Sequence, residues 1–139
     1  MTGKKGDFDY RIAFPNGLYK VGKHKKWGYV DGEDHEVIPL VYDNITAFSG
    51  SYAIVEQDGR VGVIDREGIT VVPLVYDYVG GFQEGRAAVR RNGMWGFVDE
   101  SGKEIVPLLY NYVQAFSNGK ARVERNGVFM YIDRDGNSL

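Results

Sequence analysis

The sequence predicts an all-β fold built from tandem repeats, and three observations support this prediction. The strings KWGYVD, RVGVID, MWGFVD and VFMYID recur every 34 residues. Two-residue hairpin signals recur at the same interval, and no segment keeps a helical period over the ~10 residues that a stable helix needs. The chain holds 19 glycines, 10 tyrosines, 7 phenylalanines and 2 tryptophans, which suits short strands and tight turns around an aromatic core.

The repeats fill a single domain of 139 residues without a linker. We divide the chain into a partial repeat at residues 1–18, full repeats at 19–52, 53–86 and 87–120, and a partial repeat at 121–139. Such units cannot bury their apolar faces alone, so neighbouring units must stack. The residues that recur in phase are Asp31, Asp65, Asp99 and Asp133; Pro39, Pro73 and Pro107; Tyr42, Tyr76 and Tyr110; and Phe48, Phe82 and Phe116.

The third unit illustrates the predicted β-meander. A strand over 87–91 is followed by Asn92-Gly93, which favours a type I′ turn because both residues tolerate positive φ. A second strand over 94–99 ends in a turn that Asp99 caps. A third strand over 104–106 is stopped by Pro107, which has no N–H to donate. Residues 110–116 then form either a crossing strand or a single helical turn.

Two local features of the repeat carry further predictions. In the first unit His24-Lys25 stands where the others have an Asn-Gly or Asp-Gly pair, so we expect a looser or differently built turn there. Glycine inside a strand weakens it, so Gly28, Gly62 and Gly96 indicate that another group approaches the backbone. We expect that group to be an aromatic ring of the neighbouring unit. Two stacked series would follow: Trp27, Trp95 and Phe129, and beside them Tyr29, Val63, Phe97 and Tyr131.

The repeated pattern (A/Y)-x-V-x-x-(N/D)-G-x-W-G-x-(V/I)-D-x-x-G-x-x-(V/I)-(V/I)-P-x-x-Y-(D/N) resembles the WG repeat family, also called KWG repeats. Lys26-Trp27-Gly28 matches the KWG form itself, and the departures are Val61 and Phe129-Met130. The resemblance covers about residues 8 to 135. It implies a mainly bacterial, all-β tandem module that has no shared catalytic residues and is usually regarded as a binding or scaffolding unit.

The preferred architecture is a short open solenoid or spiral, and the alternative is a small closed propeller-like ring. The N-terminal tail and the C-terminal head are complementary halves of one unit, which favours closure. Neither half supplies a counterpart of the Val-Val-Pro strand: residues 1–5 offer no substitute, and Ser138-Leu139 ends the given sequence. Propeller blades are also usually longer, at about 40 residues or more.

The composition argues against several classes of function. The absence of cysteine excludes disulfides and thiolate chemistry. No apolar run approaches the ~20 residues of a membrane span, and no signal peptide is visible, so we expect a cytoplasmic protein. A net charge of −2 and a pI of about 5.7 do not imply nucleic-acid binding.

We expect neither catalysis, nor a metal, nor a cofactor. The four repeated aspartates are better explained as turn caps than as an acid–base pair. Residues 133–137 resemble part of a calcium loop but lack its bidentate glutamate, and the acidic cluster at 31–36 lacks the ligand spacing of zinc. The two histidines, His24 and His35, fall in predicted turns.

A binding site is expected to break the repeat, because strict repetition serves packing. The non-repeated tyrosines Tyr52, Tyr78 and Tyr112 are candidate contacts. The basic residues Lys23, Arg91 and Arg125 share one phase and would form a positive stripe, although charges at a strand edge also discourage aggregation. The sequence therefore predicts a noncatalytic protein-interaction or scaffolding module, with an unidentified protein or a second copy as partner. The alternative is a small-ligand or carbohydrate binder with an aromatic groove.

Overall fold

The computed structural model describes residues 8–139, and this part of the chain forms fifteen β-strands and no helix. Residues 1–7 of the first partial repeat lie outside the described residues. They include residues 1–5, which bear on the prediction of an open or a closed array. Among the described residues no helix is long and apolar enough to cross a membrane. The strands are β1 (Tyr10–Ala13), β2 (Tyr19–Lys23), β3 (Lys26–Val30), β4 (Glu36–Tyr42), β5 (Asn44–Ile45), β6 (Tyr52–Gln57), β7 (Arg60–Asp65), β8 (Thr70–Tyr76), β9 (Tyr78–Gln83), β10 (Arg86–Arg91), β11 (Met94–Val98), β12 (Glu104–Tyr110), β13 (Tyr112–Val113), β14 (Lys120–Arg125) and β15 (Val128–Asp133).

The strands form four antiparallel sheets in chain order. The first sheet is β1-β2-β3-β4, the second β5-β6-β7-β8, the third β9-β10-β11-β12 and the fourth β13-β14-β15. The crossing element after each Tyr-(Asp/Asn) pair is therefore a short strand that begins the next sheet, rather than a helical turn. Equivalent pairs keep one register, since Val21, Val55 and Val89 lie opposite Gly28, Gly62 and Gly96.

The first-unit hairpin corrects the expectation of a different turn at His24-Lys25. His24 and Lys25 have φ values of 53° and 64°, close to the 53° and 80° of Asn92 and Gly93. The strand pairing on either side is also the same. The turn is thus built like the others, and pairing of β2 with β3 holds a lysine in the left-handed region.

The last strand of each full sheet does not stop at proline. Pro39, Pro73 and Pro107 are exposed residues inside seven-residue strands. These strands lie at the edge of their sheets, where a missing N–H can face away from the ladder. The register shifts beside each proline, so the chain bulges there and continues to the repeated tyrosine.

That bulge, and not an aromatic ring of a neighbouring unit, is what approaches the glycines. A Cβ placed on Gly28 would lie 2.4 Å from the carbonyl oxygen of Ile38, and one on Gly96 would lie 2.4 Å from that of Val106. Gly62 is equivalent, with the oxygen of Val72 at 2.5 Å. Each glycine therefore admits the backbone of the last strand of its own sheet.

The first predicted aromatic series is also wrong, because these rings pair within a sheet. Trp27 stacks on Tyr10, with ring centroids 5.4 Å apart, and Trp95 meets Tyr78 edge-on at 5.3 Å. Phe129 lies under the guanidinium of Arg122. The hairpin brings Trp27 and Trp95 beside the first strand of their own sheet, and Phe129 beside the second strand of its sheet.

The second series marks the interior of the stack. Tyr29, Val63 and Phe97 are buried, whereas Tyr131 in the fourth sheet is 45% exposed. Three apolar clusters are present, and they join the first sheet to the second, the second to the third, and the third to the fourth. None of these clusters joins the first sheet to the fourth across the described residues. The structure is thus an open all-β array of meander repeats, as the sequence predicts.

Candidate functional site

The repeated aspartates are committed to the turns. Oδ1 of Asp31, Asp65, Asp99 and Asp133 accepts hydrogen bonds from the backbone N–H groups two and four residues later, at 2.8–3.1 Å. The Ser101 hydroxyl also donates to Asp99 and is the main reason why the pKa of Asp99 lies below its usual value. For Asp31 and Asp133, backbone N–H donors are the main cause of the lowered pKa.

A second repeated row was not assigned from the sequence. Asp9, Asp43, Asp77 and Asn111 each accept a hydrogen bond from the backbone N–H of the first hairpin-turn residue 15 positions later. Each contact ties the start of one sheet to the tip of its own hairpin. The signal was available, because an aspartate or asparagine follows each repeated tyrosine, but the pairing distance appears only in the fold.

The two histidines lie in separate turn segments. His35 is an exposed turn residue with Nδ1 3.2 Å from Asp31 Oδ2. His24 occupies the hairpin turn described above. Within residues 8–139, no group of three histidine, aspartate or glutamate side chains is arranged to hold a metal.

The three predicted tyrosines occupy different environments. Tyr78 and Tyr112 are 49% and 45% exposed and begin the third and fourth sheets. Tyr52 is half-buried and packs on Phe82, with ring centroids 4.9 Å apart. Tyr52 thus belongs partly to the packing between the second and third sheets, whereas Tyr78 and Tyr112 present surface.

The three predicted basic residues do not form one cluster. Lys23, Arg91 and Arg125 are the last residues of β2, β10 and β14, so they lie on three different sheets. Arg91 pairs with Glu104 at 3.5 Å, lies over the ring of Tyr76 and borders a shallow cavity of about 240 Å³ with Arg60. The three charges therefore lie on separate sheets, and Gln57 holds the equivalent position in the second sheet.

Other non-repeated residues do converge, on one face of the third sheet. Gly80, Ala88 and Arg90 occupy positions held by Thr46, Ile54 and Glu56 in the second unit. Arg90 lies opposite both Tyr78 and Trp95 in the strand register, so the three side chains share a face. The sequence predicted Tyr78 as a contact and gave Trp95 only a packing role, because the two residues lie on separate strands.

These substitutions open a cavity between the third and fourth sheets, here called the third groove. Its volume is about 290 Å³, compared with about 120 Å³ for the equivalent cavity between the second and third sheets. Ile54 lines the second of these cavities at the position of Ala88. Residues that define the third groove are Tyr78, Gly80, Ala88, Trp95, Phe97 and Ala115.

Lys20, at the position of Ala88 in the first unit, shows what normally fills this space. Its Nζ donates to the carbonyl of Ile45 in the next sheet at 2.6 Å, and partial burial lowers its pKa. Ala88 can neither fill the space nor make that contact. The third groove is therefore left open by the loss of a side chain that the other full units retain.

The lining of the third groove is cationic and contains no acidic side chain. Arg86 lines it, donating to the carbonyls of Arg134 and Gly85 and standing 3.8 Å from Asp135. Arg90 stands 5.9 Å over the Trp95 ring at the rim and has no carboxylate partner among the described residues. The arrangement suits an aromatic or apolar group with a negative charge beside it.

Comparison with protein families gives a match over most of the chain. A family model described as "WG containing repeat" matches residues 27–60, 62–95 and 95–129. The comparison with curated proteins found no match. Among solved structures, a protein described in work on the de novo evolutionary emergence of a symmetrical protein covers 97% of this chain and 73% of its own, with 9% identity and a TM-score of 0.36. A superposition this loose carries no argument.

Proposed function

Because the chain belongs to the family of WG-containing repeats, we propose that it is a noncatalytic module that binds another protein. The observation that supports this most is the exposed face of the third sheet, where Tyr78, Arg90 and Trp95 lie together. Tyrosine, tryptophan and arginine are the residue types enriched in protein interfaces and their hot spots.

The different roles of repeated and non-repeated residues also support a binding function. The repeated aspartates cap the turns in all four units, and the repeated glycines admit the last strand in the three sheets that have four strands. Some of the side chains that differ between units, such as Tyr78 and Arg90, lie on the surface. A scaffold of this kind can vary its surface without changing its core.

The same observation supports the noncatalytic part of the proposal. The four repeated carboxylates already accept two or more hydrogen bonds each from their own turns. A general acid or base needs a pKa near the working pH, and the pKa values of Asp31, Asp99 and Asp133 are shifted the other way.

Affinity capture after chemical crosslinking tests the proposal. The wild type and the double variant Tyr78→Ser/Tyr112→Ser are used as baits in a native lysate, with Tyr10→Ser as matched control because Tyr10 has the same phase and is 61% exposed. We expect the double variant to lose about tenfold or more of the captured protein, and the control to retain it. Equal capture by all three folded baits, or no specific capture by the wild type, contradicts the proposal.

A second candidate function is binding of a small carbohydrate. The feature that favours it is the aromatic wall that Trp95 and Tyr78 give the third groove, since such rings stack on apolar sugar faces. Screening the protein on a glycan array separates the two candidates. Saturable glycan binding that Trp95→Ala abolishes would favour the carbohydrate, and an array without signal would leave the protein partner.

A further inference from the structure

We infer that the third groove receives one aromatic side chain of a peptide segment of the partner protein, with a carboxylate beside that side chain held by Arg90. This inference rests on the proposed function and specifies the chemistry of the partner. Three features support it: the size of the groove, its charge, and the interrupted edge of β9.

The size of the groove favours a single anchoring side chain. A volume of about 290 Å³ lies at the lower limit of the ~300–1,000 Å³ typical of small-molecule sites. The floor is made of small residues, Gly80, Ala88 and Ala115, and the wall of Tyr78 and Trp95. A planar ring entering between this wall and floor would find an edge-to-face partner and would displace water from apolar surface.

The charge at the rim favours an acidic neighbour of that ring. Arg90 occupies a position that holds Glu56 in the second unit and Glu124 in the fourth, so only the third unit is basic at this point. Its guanidinium lacks a carboxylate partner among the described residues. A carboxylate of the bound peptide would supply one, in a charge-assisted contact next to a desolvated ring.

The edge of the third sheet favours side-chain insertion over strand addition. β9 is an edge strand and, at six residues, is the longest of the first strands. Its register with β10 shifts between Ala87 and Val89, opposite Gly80 and Gly81. A bulge of this kind interrupts the row of free backbone groups that an added strand needs. Recognition therefore depends on what enters the groove.

Selection from a random peptide library displayed on phage, with the wild type immobilised, tests the inference without presupposing a sequence. Selected peptides are synthesised and titrated against wild type, Ala88→Ile and Arg90→Glu, with chemical shifts of the Gly80 and Gly81 amides and the Trp95 indole as readout. Ala88→Ile introduces the residue that the second unit has at this position, Ile54. Arg90→Glu introduces the residue that the second and fourth units have at that position. Both variants are therefore compatible with the repeat. Matched controls are Ala47→Ile and Arg66→Glu, which make the same changes at exposed positions outside the groove and outside the candidate binding residues.

We expect the selected peptides to share an aromatic residue next to aspartate or glutamate. Their affinity should fall about tenfold or more in both groove variants and stay unchanged in the controls. Peptides that lack this pairing, or that bind Ala88→Ile as well as wild type, overturn the inference while leaving the protein-binding function intact. A selection that yields no peptide also overturns it, and the capture experiment above then decides the proposed function on its own.

Discussion

The glycine of each Trp-Gly pair shows how a single missing side chain permits a strand pairing. Gly28, Gly62 and Gly96 face the bulged backbone of the last strand in their sheets, at distances that no Cβ can accommodate. Met130 occupies this position in the fourth sheet, where the described residues form three strands and no fourth strand lies against it. In the three sheets with four strands, the glycine thus leaves room for the strand beside it.

Replacing Gly96 by alanine is expected to destabilise the protein, because the new methyl group would lie 2.4 Å from the carbonyl oxygen of Val106 and 2.9 Å from Pro107. Forced overpacking of this kind costs about 1–3 kcal/mol. Gly32→Ala is the matched control, since nothing lies within 4 Å of a Cβ there, and its effect should stay within about 0.5 kcal/mol. Urea denaturation measures both, and equal losses would refute the steric explanation.

The turn aspartates make the stability of the protein depend on pH. Asp99 has a folded-state pKa below its ordinary value of 3.8, first because of the Ser101 hydroxyl. Its stabilising effect is therefore complete above the unfolded pKa and disappears as the pH falls through the lower, folded value. Asp99→Ala should lower the Tm by a few degrees at neutral pH, and the difference from wild type should shrink below pH ~3.8.

Thermal unfolding followed by circular dichroism over this pH range checks the expectation. Glu100→Ala, an exposed neighbour in the same turn, is the control and should leave the Tm unchanged. A difference between Asp99→Ala and wild type that persists undiminished in acid would show that the carboxylate is not the stabilising group.

At the scale of strands and turns, local chemistry predicted most of what formed. The aspartate turns follow from residue type alone, as do the Asn-Gly hairpins. The bulge beside Pro107 could not be predicted, because a proline signals a strand end unless that strand lies at a sheet edge. Edge position is decided by which strands pair, and nothing within 104–110 reveals it. The prediction that an aromatic ring approaches Gly96 was wrong for the same reason, because the approaching group is the backbone of this edge strand.

The first hairpin provides a test of turn strain. Lys25 has a φ of 64°, and a non-glycine residue in this region costs roughly 1–2 kcal/mol. Glycine would remove that cost. It would also raise the conformational entropy of the unfolded chain, which lowers the free energy of unfolding by about 0.4–1 kcal/mol. Lys25→Gly should therefore stabilise the protein by about 0.5–1 kcal/mol.

The reverse change at the equivalent position, Gly93→Lys, should destabilise by a similar amount, because Gly93 has a φ of 80°. Denaturant unfolding of both variants gives the two differences. If Lys25→Gly proves destabilising, the lysine side chain must contribute contacts that outweigh the backbone strain, and the two hairpins are not energetically equivalent.

At the scale of the whole molecule, the repeat determines the stacking and its exceptions determine the surface. Every unit faces the same packing problem, so a sequence with a fixed 34-residue interval already implies sheets stacked in chain order. The third groove was not predictable in the same way. Gly80 and Ala88 come from different strands and meet only after β9 pairs with β10, and Tyr78 alone did not indicate that a cavity lay beside it.

The stacked sheets are linked by tyrosine hydroxyls, which makes stability sensitive to alkali. Tyr29 donates to the carbonyl of Thr46 at 2.9 Å, and Tyr76 donates to Glu104 at 2.6 Å, each across successive sheets. Burial raises both pKa values from 10.0 to about 12. Because the folded-state pKa is raised, this contribution is complete below pH 10 and is lost as the pH rises through about 12.

An alkaline titration should therefore separate these two residues from the other tyrosines. We expect tyrosinate absorbance to develop first from exposed rings and later from Tyr42, whose pKa burial also raises. The last two of the ten tyrosines should ionise together with loss of the β-sheet circular dichroism signal. In Tyr76→Phe only Tyr29 should remain in that last step, since phenylalanine keeps the ring and loses the ionisable hydroxyl. Ionisation of all ten tyrosines near pH 10 with the sheets intact would mean that the hydroxyls between the sheets are accessible to water, and that the stack is held by its apolar clusters alone.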